Sequence, residues 1–114
     1  MDLILDLTHK IASILDSKKA IDLTVLSVKG ISPIADYFII ATGTSSTHIN
    51  ALAEYVEKGM AESGVFIRHR EGKINGGWLL LDYRDIVVHI FSDDQRQYYA
   101  LERIWSDAVR VSLI

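Results

Sequence analysis

The stretch Gly76 to Phe91, GGWLLLDYRDIVVHIF, decides how the rest of the 114-residue chain is arranged. Residues 78–83 and 86–91 are two runs of aliphatic and aromatic residues around a short polar break, the pattern of a tight β-hairpin. Both parities of the first run are apolar, with Trp78 and Leu80 on one side and Leu79 and Leu81 on the other. A strand with one wet face would alternate apolar and polar residues. This hairpin therefore either sits in a sheet covered on both faces or leaves an apolar patch for a partner. Two-residue turns favour glycine or asparagine because φ is positive there, and Arg84 fits that poorly. Either Arg84 accepts about 1 kcal/mol of strain or the turn is of another type.

Working outward, residues 65–70, VFIRHR, alternate like a strand with one wet face, and Glu71 to Gly77 reads as a loop. DYFIIAT, 36–42, carries five consecutive apolar residues from Tyr37 to Ala41, which suits a central strand covered on both faces. Residues 21–29, IDLTVLSVK, read as a strand broken by Gly30 to Pro33, and residues 2–17 form an amphipathic helix on Leu3, Leu7, Ile11 and Ile14/Leu15. Gly43-Thr44-Ser45-Ser46 opens a second helix, with serine as its N-cap, an apolar stripe at Ile49, Leu52, Ala53, Val56 and Met60, and Gly64 as its stop. Gly59 inside that helix costs about 1 kcal/mol relative to alanine. Ser92-Asp93-Asp94-Gln95 has the form of a capping box, and Tyr98, Leu101, Ile104, Trp105 and Ala108 continue it as a third helix. The order α-β-β-α-β-β-β-α predicts an α/β or α+β fold over residues 1–114 as one domain, a mixed sheet of about five strands with three helices packed on it.

A net charge of −3 and the absence of a basic stripe argue against a protein that binds nucleic acid through phosphate contacts alone. The chain has no cysteine, which excludes disulfides and thiolate chemistry and fits a reducing interior. No apolar run approaches the roughly 20 residues that span a bilayer. The acidic start MDLILD has no basic flank of the kind a signal or transit peptide carries, so the cytoplasm is expected.

Chemistry finds few candidates. The four histidines, His9, His48, His69 and His89, form no H-x-H or H-x-x-x-H pair, so no metal is expected. The turn Gly43 to Ser46 matches neither a nucleophile elbow nor a phosphate loop. Two-metal nucleotidyl transfer needs carboxylates sharing a face, whereas Asp82 and Asp85 are three apart across a turn and point in different directions. His89 shares parity with Val87 and Phe91, and a histidine on such a strand is either a hydrogen-bonded structural residue or, on an open face, a pH-sensitive contact. Trp78 is either core or the centre of a binding surface.

Four blocks, KKAIDLTVLSVKGISPIADYFIIATGTSSTHINALAEYVE (18–57), EG (71–72), GWLLLDYRDIVVHIF (77–91) and RQYYALERIWSDA (96–108), resemble the ribosomal silencing factor family of Iojap-like proteins from about residue 18 to 108. That resemblance implies a nucleotidyltransferase-like sheet without the catalytic carboxylates, and a protein with no catalytic residues, no cofactor and no metal. It implies binding to the large ribosomal subunit through large-subunit ribosomal protein fourteen, with a minor rRNA contact, and a block on subunit joining that represses translation when nutrients run short. A role in large-subunit biogenesis, and a homodimer off the ribosome, are implied too. By position the family's partner-binding signature falls on Trp78, Leu80, Asp82, Tyr83 and Asp85, with His89 nearby and Asp36 and Tyr37 in the I-A-D-Y-F block. Arg84 stands where the family usually has glycine, and Ser27 where aspartate is common.

Overall fold

The computed structural model describes residues 3–30, 35–73, 77–94 and 109–110. In chain order the elements are α1 (Leu3–Ser17), β1 (Ile21–Ser27), β2 (Tyr37–Thr42), α2 (Ser46–Glu62), β3 (His69–Lys73), β4 (Trp78–Asp82), β5 (Ile86–Phe91) and β6 (Val109–Arg110). They make a mixed α/β fold around one sheet of order β3-β4-β5-β2-β1-β6. The parallel pair β2 and β5 lies near its middle, in register from Tyr37↔Ile86 to Thr42↔Phe91, and every other neighbouring pair is antiparallel. All residues of β2 and β5 are buried, as the unbroken apolar run of β2 required.

Strand parity sorts the sheet into two apolar faces. Ile39, Ala41, Leu79, Leu81, Val88 and Ile90 join Ile11 and Leu15 of α1 and the stripe of α2 in one cluster. Phe38, Ile40, Val87 and Phe91 join Leu26, Val28 and Ala35 in a second cluster on the other face, where Trp78 and Leu80 pack while staying partly open. Fully burying an aliphatic side chain such as Leu79 or Leu81 contributes roughly 2 kcal/mol.

The ends of α2 follow from local chemistry. Ser45 Oγ accepts from His48 N at 3.1 Å, satisfying one free amide of the first turn. At the other end Gly64, with φ +77, donates to Ala61 O, and Val65 donates to Met60 O, the paired bonds of a Schellman stop. The residues read as the buried stripe of α2 are its buried residues. His48 then ties two turns together: Nδ1 accepts from Thr44 N at 2.9 Å and Nε2 lies 3.0 Å from Lys18 O, so the ring carries its proton on Nε2. Gly43 precedes this turn because a Cβ there would lie 2.6 Å from Ile49 Cγ1. Gly59 is explained the same way, since a Cβ would meet the end of the Ile14 side chain where α1 crosses α2.

Three expectations are corrected, extended or left open by the fold. The strand expected over 65–70 is displaced to His69–Lys73. Val65 and Ile67 do turn inward against the first cluster and Phe66 outward, so the alternation was real. However, β4 offers partners only from Asp82, opposite His69, to Trp78, opposite Lys73. Among the described residues the sheet has the expected five main strands and, beyond them, the two-residue β6, Val109–Arg110, paired with β1. The third helix expected after Ser92 falls on residues outside the described ones; Asp93 and Asp94 are helical at their border.

Candidate functional site

The β4–β5 hairpin presents the residues singled out from sequence. Its register runs from Trp78↔Phe91 to Asp82↔Val87, so alternate residues of β4 divide between the faces as parity required. Leu79, Leu81 and Tyr83 enter the cluster under α2, whereas Trp78, Leu80 and Asp82 lie on the second face and are only partly buried.

Arg84 resolves the question raised by its turn. Its φ is +76, so it adopts the left-handed conformation that glycine usually takes. Asp85 N donates to Tyr83 O at 3.0 Å across it, while Tyr83 N donates to Ile86 O at 2.9 Å. A bond closed over a single residue of positive φ is the rare, strained form of γ-turn. Asp82 Oδ1 offsets part of that strain by accepting from Arg84 N at 2.7 Å. Replacing Arg84 by glycine is expected to stabilise the fold by about 1 kcal/mol. An unchanged urea midpoint for Arg84→Gly would show that no strain is held there.

Behind Trp78 stands a row of rings. Trp78 stacks on Phe91 with centroids 6.3 Å apart and planes 16° apart. Phe91 lies parallel to His89 at 6.0 Å, and Phe38 meets His89 edge-on at 5.3 Å. Across the strand pair, Leu80 is opposite His89. The indole thus rests on a base of stacked rings, which restricts the orientations open to it.

His89 itself is 8% exposed, and neither ring nitrogen has a hydrogen-bond partner. Burial pushes its pKa down to about 4. Tyr37 and Tyr83 are buried as well, at 5% and 8%. Burial, and then the nearby Glu57 carboxylate, raises the Tyr83 pKa to about 12. Of these three buried residues only His89 lies on the Trp78 face; Tyr83, and by strand parity Tyr37, belong to the face covered by α2. Asp36 and Asp85 lie together by backbone: Asp85 O accepts from Asp36 N at 2.8 Å and from Tyr37 N at 3.1 Å. That bond joins the I-A-D-Y-F block to the hairpin tip, two motifs distant in sequence.

The sequence reading missed β3 as part of this surface. His69 is opposite Asp82 and Glu71 opposite Leu80, so both stand on the Trp78 face at the open edge of the sheet. The signal in the sequence is EG at 71–72, whose glycine and charge alone suggest a loop. Gly72 has φ +97, and a Cβ there would fall on the carbonyl oxygen of Trp78, so a strand rather than a loop demands that glycine.

Elsewhere, a cavity of about 370 Å³ opens at the C-terminal ends of β2 and β5, lined by Ile21, Thr42, Gly43, Thr44, Ser92, Asp93 and Asp94. That is where open α/β sheets bind ligands, and among the described residues its charged lining is Asp93 and Asp94, two carboxylates that repel phosphate. Among the described residues no three His, Asp or Glu side chains are grouped to hold a metal ion. No described helix is long and apolar enough to cross a membrane.

Comparison with known proteins gives this surface a context. Residues 2–113 match the family described as "Ribosomal silencing factor during starvation". The chain is 44% identical over 98 residues to "Ribosomal silencing factor RsfS" of Halalkalibacterium halodurans, covering 86% of this chain and 84% of that one. It is 31% identical over 100 residues to the mouse protein named "Mitochondrial assembly of ribosomal large subunit protein 1", covering 84% of this chain and 43% of that one. A crystal structure of a protein from Chromobacterium violaceum superposes with a TM-score of 0.87 at 32% identity, over 93% of this chain and 88% of that one. The extent of these matches, end to end and through the hairpin, leaves one conclusion: the chain belongs to the ribosomal silencing factor family.

Proposed function

We propose that this protein is a non-enzymatic silencing factor that docks on the large ribosomal subunit through large-subunit ribosomal protein fourteen and blocks joining of the small subunit. The observation that carries this reading is the partly open Trp78–Leu80 strip, backed by stacked rings and bordered by Asp82. Trp78 and Leu80 would fill an apolar pocket on the ribosomal protein. Asp82 and Asp85 would pair with its lysines or arginines, with Asp36 fixing the hairpin tip and His89 backing the strip, while Tyr37 and Tyr83 would act only through the opposite face of the sheet. The names of the relatives support a role at the ribosome. The reading extends to a cytoplasmic protein, a minor rRNA contact, a homodimer when free, and a nucleotidyltransferase-like sheet that has lost its chemistry.

The test is sedimentation of the purified protein with isolated large subunits through sucrose gradients. Trp78→Ala is expected to weaken binding about 30-fold, the loss of roughly 2 kcal/mol that follows truncation of a central aromatic anchor. Normal co-sedimentation of a folded Trp78→Ala variant would refute the docking surface. A second reading, a factor in large-subunit assembly, is favoured by the name of the mouse relative. Under that reading the protein is recovered on immature large particles and its loss lets them accumulate. A nucleotide-transferring enzyme is the third, and calorimetric binding of nucleotide with Mg²⁺ is the result that would support it.

A further inference from the structure

The docking strip has an edge that the hairpin alone does not reveal. On the second face the β3–β4 pairing sets His69 beside Asp82 and Glu71 beside Leu80. Directly opposed residues on adjacent strands hold their Cβ atoms about 5 Å apart, so the Glu71 carboxylate borders the apolar strip. Glu71 is exposed, with 54% of its side chain open to solvent. One carboxylate oxygen, Oε1, is held 3.0 Å from His69 Nε2, a contact that runs along β3. Arg70 is on the opposite face, opposite Leu81, with Glu57 at 3.3 Å, and the next residue of β3 in register with Glu71 is Lys73, opposite Trp78. The position of Glu71 is fixed. Gly72 lets the backbone of β3 press against the carbonyl of Trp78, so Glu71 and the indole are carried by two backbones in contact.

We infer that Glu71 is a specificity-determining residue of the docking surface, accepting a lysine or arginine that the partner protein carries beside the pocket for Trp78. The inference rests on the Trp78–Leu80 strip being the docking surface. It makes the recognised feature a compound one: an apolar pocket with a cation on its β3 side, complementary to Leu80 flanked by Glu71. A charge at the rim of an apolar contact adds little raw affinity but selects the partner's orientation and rejects surfaces of the wrong sign.

The experiment measures affinity of the full-length protein for purified large ribosomal subunits at low and moderate salt, for Glu71→Gln, Glu71→Lys, Trp78→Ala and the parent. Glu71→Lys is expected to weaken binding about tenfold and Glu71→Gln less, both with a flatter dependence on salt. Circular dichroism and the urea midpoint should not move, since the side chain is exposed. If Trp78→Ala loses binding while Glu71→Lys stays within twofold of the parent, the inference is overturned and the docking strip stands. If Glu71→Lys loses binding while Trp78→Ala does not, Glu71 is upheld and the pocket for Trp78 is refuted. Parent-like binding by both variants removes both.

Discussion

Acidification from pH 7 to pH 4 is expected to cost the fold about 3 kcal/mol through His89, at 1.36 kcal/mol per unit of pKa difference. In the folded chain its pKa is pushed down from 6.5 to about 4, because burial disfavours the charged ring. The unfolded chain therefore takes up a proton in the window between those values while the folded chain does not. The stabilisation is fully present above pH 6.5, declines as the pH falls through the window, and changes no further below about 4. Both nitrogens are sealed among Phe38, Phe91 and Leu80 with nothing to accept or donate, so no bond offsets the charge. Urea unfolding at several pH values checks this by comparing the parent with His89→Leu. The variant should lose less stability on acidification and should be the more stable protein at pH 5. Parallel pH profiles for the two would mean that a buried water or a partner group already satisfies the ring.

Gly72→Ala is the second large effect. The new methyl group would meet the backbone of Trp78, whose carbonyl carbon is 3.1 Å from the Cβ position, with Leu79 Cα at 3.2 Å. Neither is a flexible side-chain end that could step aside, so β3 must lift from β4. The residue also stands at φ +97, a conformation that L side chains rarely adopt. Loss of about 3 kcal/mol is expected, the sum of backbone strain and weakened ladder bonds. Because β3 is an edge strand, the damage should be local. Amide exchange of residues 69–73 should accelerate strongly while that of β2 and β5 stays slow. A parent-like urea midpoint and unchanged exchange in β3 would contradict this. The same variant should loosen Trp78, which links the stability of the edge to the proposed docking surface.

These two residues also mark where sequence alone stops. Parity placed Trp78 and Leu80 opposite Leu79 and Leu81, and the unbroken run in β2 placed it in the sheet interior, because burial on two faces leaves a direct imprint on composition. The caps of α2 were legible for a similar reason: Ser45 and Gly64 satisfy local rules that need no tertiary partner. The position of β3 was not legible. Alternation over 65–70 records which side chains turn inward, whereas a strand also needs a hydrogen-bonding neighbour, and β4 supplied one four residues further along. Arg84 looked unsuited to a positive φ and adopts one nonetheless, since the hairpin register and the Asp82 bond outweigh its local preference. For the candidate site, the motif gave Trp78, Leu80 and Asp82 but not their neighbours on β3. Burial of Tyr37, Tyr83 and His89 depends on packing that a linear motif does not encode.

The parallel pairing of β2 with β5 has a bearing on how the protein is made. Residues 43–85 separate the two strands, so the middle of the sheet is closed by a contact across that whole span. Closing so long a loop costs entropy before any central burial repays it. Hairpins β1–β2 and β4–β5 join near neighbours and can form first, each with an apolar face still in water. A nascent chain that has not yet delivered Phe91 therefore has no central sheet to bury its apolar residues in. The centre of the sheet is thus expected to close only after β5 has been synthesised.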